Sequence, residues 1–205
     1  MTDPKTLLCD LSALAYDRRL LDSAGGNFSV RDGDRILCSP RYAGSRRRWA
    51  VRPDEIVVLG PGGEQESGSG EPSREIRMHL AIYREFPEAG AICHAHPLNV
   101  MVFVSLRRPI PPSSEQTEKY GVIPLCGEVR AHSEALAQSV VEALVPQRPK
   151  LASHAIACLI PGHGITVVSR SLEDAYDALE RLDNSCHVLI AQATLAMHDR
   201  IMNGR

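Results

Sequence analysis

Between Thr6 and Ser23, apolar residues fall at Leu7, Leu8, Leu11, Leu14, Ala15 and Leu21. That spacing is close to the helical period and predicts a helix closed by Gly25-Gly26. Asn27-Phe28-Ser29-Val30-Arg31 then alternates, Asp32-Gly33-Asp34 turns, and Arg35-Ile36-Leu37-Cys38 returns as the second arm of a β-hairpin. Ser39 to Pro53 carries Arg41, Arg46, Arg47, Arg48 and Arg52 and reads as an exposed basic loop. Ile56-Val57-Val58-Leu59 is a short strand, and the Gly-, Ser- and Glu-rich stretch Gly60 to Pro72 is a loop. Arg74 to Phe86 is helical, with Ile76, His79, Leu80 and Tyr83 on one side.

Gly90-Ala91-Ile92-Cys93 enters a strand that ends at His94-Ala95-His96, and a helix follows Pro97 to about Leu106. Pro109 to Tyr120 is irregular, and Val122-Ile123-Pro124-Leu125 is a weak strand. Ser133 caps a helix that runs to Leu144. Ala155–Ile160 and Ile165–Val168 are strands joined by Pro161-Gly162-His163-Gly164, and a long last helix starts near Ser171. This alternation predicts an α/β fold: a three-layer α/β/α sandwich around a mixed, largely antiparallel sheet. No repeat or linker divides the chain, so one domain over residues 1–205 is expected.

Composition narrows the function classes. Lys and Arg total 23 against 25 Asp and Glu, a net charge of -2, which argues against a nucleic-acid partner. Aromatics at 4% are too few for a base-stacking platform. No apolar run reaches the ~18 residues of a membrane span, and Met1-Thr2-Asp3-Pro4-Lys5 lacks the start of a signal peptide. The six cysteines, none in a C-x-x-C pair, suit buried thiols in a reducing cytoplasm.

Three constellations could carry chemistry. His94 and His96, two apart on a strand, point to one face and can converge on a metal ion. His163, between two glycines at a turn, is the best third ligand; three histidines leave zinc an open position for substrate. The plainer reading is two polar residues at a strand end, because an H-x-H pair alone is weakly specific. Pro72-Ser73-Arg74-Glu75 opens a helix whose amides can hold an anion, and Glu75 could reach the histidines as a ligand, base or acid. Taken alone, Ser73 as cap and Glu75 offsetting the helix dipole is the simpler account. Gly25-Gly26-Asn27 could approach a phosphate, or could simply end a helix. His79, His132, His154, His187 and His198 show no ligand-like spacing with the site, and Trp49 reads as a packing anchor.

In order and spacing, these residues resemble the class II aldolase/adducin family. The match comprises Gly26-Asn27-x-Ser29, Pro53-Asp54-Glu55-Ile56-Val57-Val58, and Pro72-Ser73-Arg74-Glu75 with His79. It continues through Pro87-x-x-Gly90-Ala91-Ile92-x-His94-x-His96-Pro97, Ile110-Pro111 and His163-Gly164. The resemblance implies a homotetramer and a zinc-dependent lyase, another divalent metal being possible. Such an enzyme cleaves a sugar phosphate through an enediolate to dihydroxyacetone phosphate and an aldehyde. It assigns the metal to His94, His96 and His163, acid/base work to Glu75, and phosphate to Asn27 and Ser73, with Arg74 beside them. The same metal site would serve decarboxylation of a 3-oxo-tetronate phosphate or dehydration of methylthioribulose phosphate. A non-catalytic module like the adducin head would lack the three histidines. Arg74 stands where a second serine is usual and resembles the decarboxylase branch. Glu115 falls where the aldolases carry a tyrosine and is a candidate second acid/base group or a loop carboxylate without a role. The family's Thr-x-Ser-Gly phosphate loop should fall near Ser39, where this chain reads Ser39-Pro40-Arg41-Tyr42-Ala43-Gly44.

Overall fold

A computed structural model describes residues 3–203. Residues 1, 2, 204 and 205, which fall within the expected domain, lie outside the described residues. Helix α1 (Pro4–Asp17) is capped by the Asp3 carboxylate, which accepts from Thr6 N. It stops eight residues before the glycine pair, where Arg19 takes a left-handed backbone at φ 60°. Strands β1 (Asn27–Asp32) and β2 (Arg35–Cys38) form the expected hairpin around Gly33.

The basic stretch after β2 is not an open loop. It folds into the short helix α2 (Ala43–Arg47) and buries Trp49, whose indole N–H donates to the Asp22 carbonyl at 3.0 Å. The arginines lie outward while Ala43, Gly44 and Trp49 turn in, so charge masks a small apolar patch in the sequence. Strand β3 (Val57–Leu59) follows a single 3₁₀ turn. The stretch expected as a loop then contributes a short edge strand, β4 (Gln65–Ser67), exposed at all three residues and so without an apolar signature.

Helix α3 (Ile76–Glu85) leads to β5 (Ala91–Ala95), and α4 (Leu98–Ser105) starts directly after Pro97 at its N-cap. A four-residue helix α5 (Glu115–Glu118) interrupts the irregular stretch, and residues 122–125 pair only through isolated bridges. Helix α6 (Glu134–Leu144) is capped by Ser133, which accepts from Leu136 N. It passes into a 3₁₀ segment, Val145–Ala152. Strands β6 (Ile156–Ile160) and β7 (Gly164–Ser169) precede the 32-residue α7 (Leu172–Asn203).

Among the described residues, seven strands run in the order β4-β3-β2-β1-β5-β7-β6, and each ladder between them is antiparallel. The one parallel pairing among the described residues is the isolated Leu125–Leu159 bridge. Alternation divides the sheet's two faces. Phe28, Cys93, Ala95, Ile165 and Val167 meet α1, α4 and α7. Ile36, Ile92, Cys158 and Val168 meet α3 and α6. These are the three layers the sequence predicts. Among the described residues, no helix is long and apolar enough to cross a membrane.

The strand register also places polar side chains. Asn27 pairs with His94, and His94 with Thr166, so the three stand in one row across β1, β5 and β7. All three are buried, on the face that carries α3. One position deeper, Ser29 Oγ lies 2.7 Å from His79 Nδ1 and 2.9 Å from the Tyr83 hydroxyl, anchoring α3 to the sheet.

His79 carries a stability prediction. Burial, reinforced by the nearby His94, lowers its imidazole from 6.5 to about 3. Between those values the unfolded chain binds a proton that the folded chain refuses. The stability present above pH 6.5 is therefore lost as pH falls toward 3. Urea unfolding at pH 7 and pH 5 should show this group alone removing about 2 kcal/mol. A His79→Gln variant should lose correspondingly less over the same interval. Equal losses in both proteins would refute the assignment.

Candidate functional site

Helix α3 begins where the polar row of the sheet ends. Glu75 occupies its N-cap but makes no capping bond; instead its backbone N–H donates to Ser73 Oγ at 3.2 Å. The carboxylate turns into the interior, where Asn27 Nδ2 donates to Oε2 at 2.8 Å. His94 Nε2 lies 3.2 Å from the same oxygen, and His163 Nε2 lies 3.1 Å from Oε1. Glu75 thus stands at the helix N-terminus, where it offsets the dipole, and also reaches the imidazoles from a buried position.

His94, His96 and His163 each bring a ring nitrogen to within 4.8 Å of the others. His94 and His96 come from the end of β5 and His163 from the β6–β7 turn, where Gly162 takes φ +66°. That turn can sit this close only because residue 164 has no side chain. A Cβ there would lie 2.4 Å from the Ala95 carbonyl and 2.6 Å from the His96 ring. His94 Nδ1 faces the Ile165 carbonyl at 3.1 Å, leaving Nε2 directed inward.

The polar atoms here are incompletely satisfied. His94 Nε2, His96 Nε2, Glu75 Oε1 and Asn27 Oδ1 are buried and lack an aligned hydrogen-bond partner. Leaving such a group unpaired costs about 1–3 kcal/mol. Three imidazoles and a carboxylate around one point suit a divalent transition metal, which would use those atoms. The donor set therefore fits a metal ion.

The charges respond to this crowding. Burial pushes the Glu75 carboxyl up, but the His94 and His163 imidazoles outweigh it and hold the group well below the usual carboxylate range. Burial, reinforced by the neighbouring His94 and His163 imidazoles, lowers His96 to about 4.

Above the triad opens a cleft of about 380 Å³, lined by Gly25, Gly26, Asn27, Ser73, Arg74, Glu75, His96 and His163. The segment Pro40–Ser45 forms the facing wall. There Tyr42 holds a left-handed backbone at φ 64°, and Arg41 and Arg46 stack on its ring at 4.5 and 4.1 Å. Ser39, by contrast, is buried and accepts from Phe28 N at 3.1 Å, so it is taken up by the sheet.

The structure thus gathers His94, His96, His163, Glu75, Asn27, Ser73 and Arg74 around one cleft. Glu115 lies apart: it is exposed on α5, which packs against α7, and does not line the cleft. Two residues that approach the site's ionisable groups leave no signal in the sequence. His132 approaches Glu75 Oε1 to 3.7 Å and stands edge-on to His163. Its left-handed φ of 60°, in an exposed turn before α6, leaves no pattern in the sequence. Asp22, 3.6 Å from His96, is the other.

Known proteins carry the same architecture. The solved structure of an L-fuculose 1-phosphate aldolase superposes with a TM-score of 0.83, covering 95% of this chain and 88% of that one at 23% identity. A 5-methylthioribulose-1-phosphate/5-deoxyribulose-1-phosphate aldolase from Rhodospirillum rubrum is 31% identical over 73% of this chain and 63% of its own length. A 3-oxo-tetronate 4-phosphate decarboxylase from Haemophilus influenzae is 29% identical over 90% of this chain and 87% of its own length. The profile of the class II aldolase and adducin N-terminal domain matches residues 6–190, a span that holds the histidine triad, Glu75 and the whole seven-stranded sheet. Fold, residues and profile agree, and this chain belongs to the class II aldolase and adducin N-terminal domain family.

Proposed function

We propose that the chain acts as one domain and is a metal-dependent lyase of the aldolase type. It would cleave or form a C–C bond of a phosphorylated ketose, with dihydroxyacetone phosphate as the fragment nearest the metal. The observation that carries this reading is the Glu75 carboxylate, buried and 3.1–3.2 Å from two of three converging imidazoles. His94, His96 and His163 would hold the metal, zinc being the first choice for this donor set. Bound there, a divalent metal supplies Lewis-acid stabilisation of negative charge developing on substrate oxygens.

Glu75 does the proton work. Its carboxylate, held beside the imidazoles, would accept a proton from the carbon beside the substrate carbonyl. Asn27 holds Oε2, and Oε1 is left without an aligned partner on the cleft side. Ser73 and Arg74 at the rim would bind the phosphate, and that remote binding orients the reacting end. Asn27, assigned to phosphate by resemblance, also donates one amide N–H to Glu75 and so would position the base.

Decarboxylation of a 3-oxo acid phosphate is the second reading, favoured by the Arg74 guanidinium in the cleft. Dehydration through Glu115 would require that carboxylate to reach a neighbouring copy's cleft. A homo-oligomer, proposed here as a tetramer, is supported by α7. Among the described residues, α7 buries nothing beyond Cys186, and Leu195, Met197 and Ile201 stand exposed. A cytoplasmic setting is supported by six buried free thiols.

The test uses zinc-loaded protein and dihydroxyacetone phosphate in heavy water, followed by NMR. Loss of one hydroxymethyl proton, abolished by chelation, is the expected result. Bound metal without exchange would move the reading to decarboxylation, to be followed by CO₂ release.

A further inference from the structure

His94 and His96 both direct Nε2 inward, but their outer nitrogens are held differently. His94 Nδ1 faces a neutral acceptor, the Ile165 carbonyl. His96 Nδ1 faces a carboxylate, Asp22 Oδ1, at 3.6 Å. At that distance the pair is an electrostatic contact rather than a formed hydrogen bond.

Asp22 is fixed from three sides. Its Oδ1 accepts from Ala24 N and Gly25 N, both at 2.9 Å. Its carbonyl accepts the Trp49 indole N–H at 3.0 Å. Gly44 packs against the same carbonyl so closely that a Cβ would stand 2.5 Å from the oxygen. The His96 ring is equally confined, between the Gly25 backbone and Gly164.

We infer that Asp22 is a positioning residue for His96, holding the tautomer with the proton on Nδ1 and Nε2 free for a divalent cation. A carboxylate behind such an imidazole orients the ring and raises its basicity as a donor, and removing such partners typically costs 10–100-fold in metal affinity. The inference rests on the reading that the triad holds a metal.

A turn-forming role alone would also explain the bonds to Ala24 and Gly25. Asp22→Asn separates the two, because the amide oxygen still accepts from those N–H groups while the charge is gone. Zinc affinity is measured by competition with a chromogenic chelator on wild type, Asp22→Asn and Asp22→Ala. Thermal midpoints of the metal-free proteins are recorded beside it. Expected are an about tenfold weaker affinity in Asp22→Asn at an unchanged midpoint and a loss toward 100-fold in Asp22→Ala. If the asparagine variant alters the turn, Asp22→Ser keeps a hydroxyl acceptor and gives the same readout. Wild-type affinity in a folded Asp22→Asn or Asp22→Ser protein would overturn the inference and leave Asp22 a turn residue. Failure of the wild type itself to bind zinc would overturn the triad reading, and this inference with it.

Discussion

A Glu75→Gln variant is expected to keep its metal and lose its reaction. Glutamine matches the volume of glutamate and still offers a carbonyl to the Asn27 amide that donates to Oε2. What it cannot do is accept a proton. Positioned acid/base groups contribute about 10²–10⁴ in rate, so exchange at dihydroxyacetone phosphate should fall by about that factor. Glutamine is a better probe than alanine. Truncation would strand a buried Asn27 amide and open space among the imidazoles, confusing lost chemistry with lost structure. Metal content of the purified variant is the control. Exchange within tenfold of wild type, with metal bound, would falsify the assignment of Glu75 as base.

Much of this site is legible from sequence because a sheet register makes it. Asn27, His94 and Thr166 stand abreast on strands whose alternation is plain in the chain. His163 is marked by its flanking glycines, Gly162 for the left-handed backbone of the β6–β7 turn and Gly164 for its close approach to His96. Elements built without an apolar stripe escape. Strand β4 is polar at all three positions and pairs only by its backbone. Helix α2 hides beneath three consecutive arginines, and its burial is visible only once Trp49 is seen to reach the Asp22 carbonyl. His132 and Asp22 escape for a related reason: both sit in turns, where position depends on local backbone rather than on a period. A turn residue enters a site through dihedral angles that sequence spacing does not report.

The triad itself yields the other large effect. His163→Ala should bind no zinc and show no metal-dependent exchange, yet fold as well as wild type. His163 stands in a turn and is 21% exposed, so its loss opens little of the core. His94 is a poorer choice, because it is fully buried between Asn27 and Thr166, and its removal creates a cavity as well as a missing donor. The consequence can be read without any substrate. Zinc at about 100 times its dissociation constant adds about 2.7 kcal/mol to a protein that binds it only when folded. In a chain of this size that raises Tm by roughly 5–10 °C. Wild type should show that shift and lose it to a chelator, while His163→Ala should melt at one temperature with or without zinc. A full shift in the variant would place the metal on other groups, and the carboxylate of Glu75 and the neighbouring His132 would then be the ones to remove next.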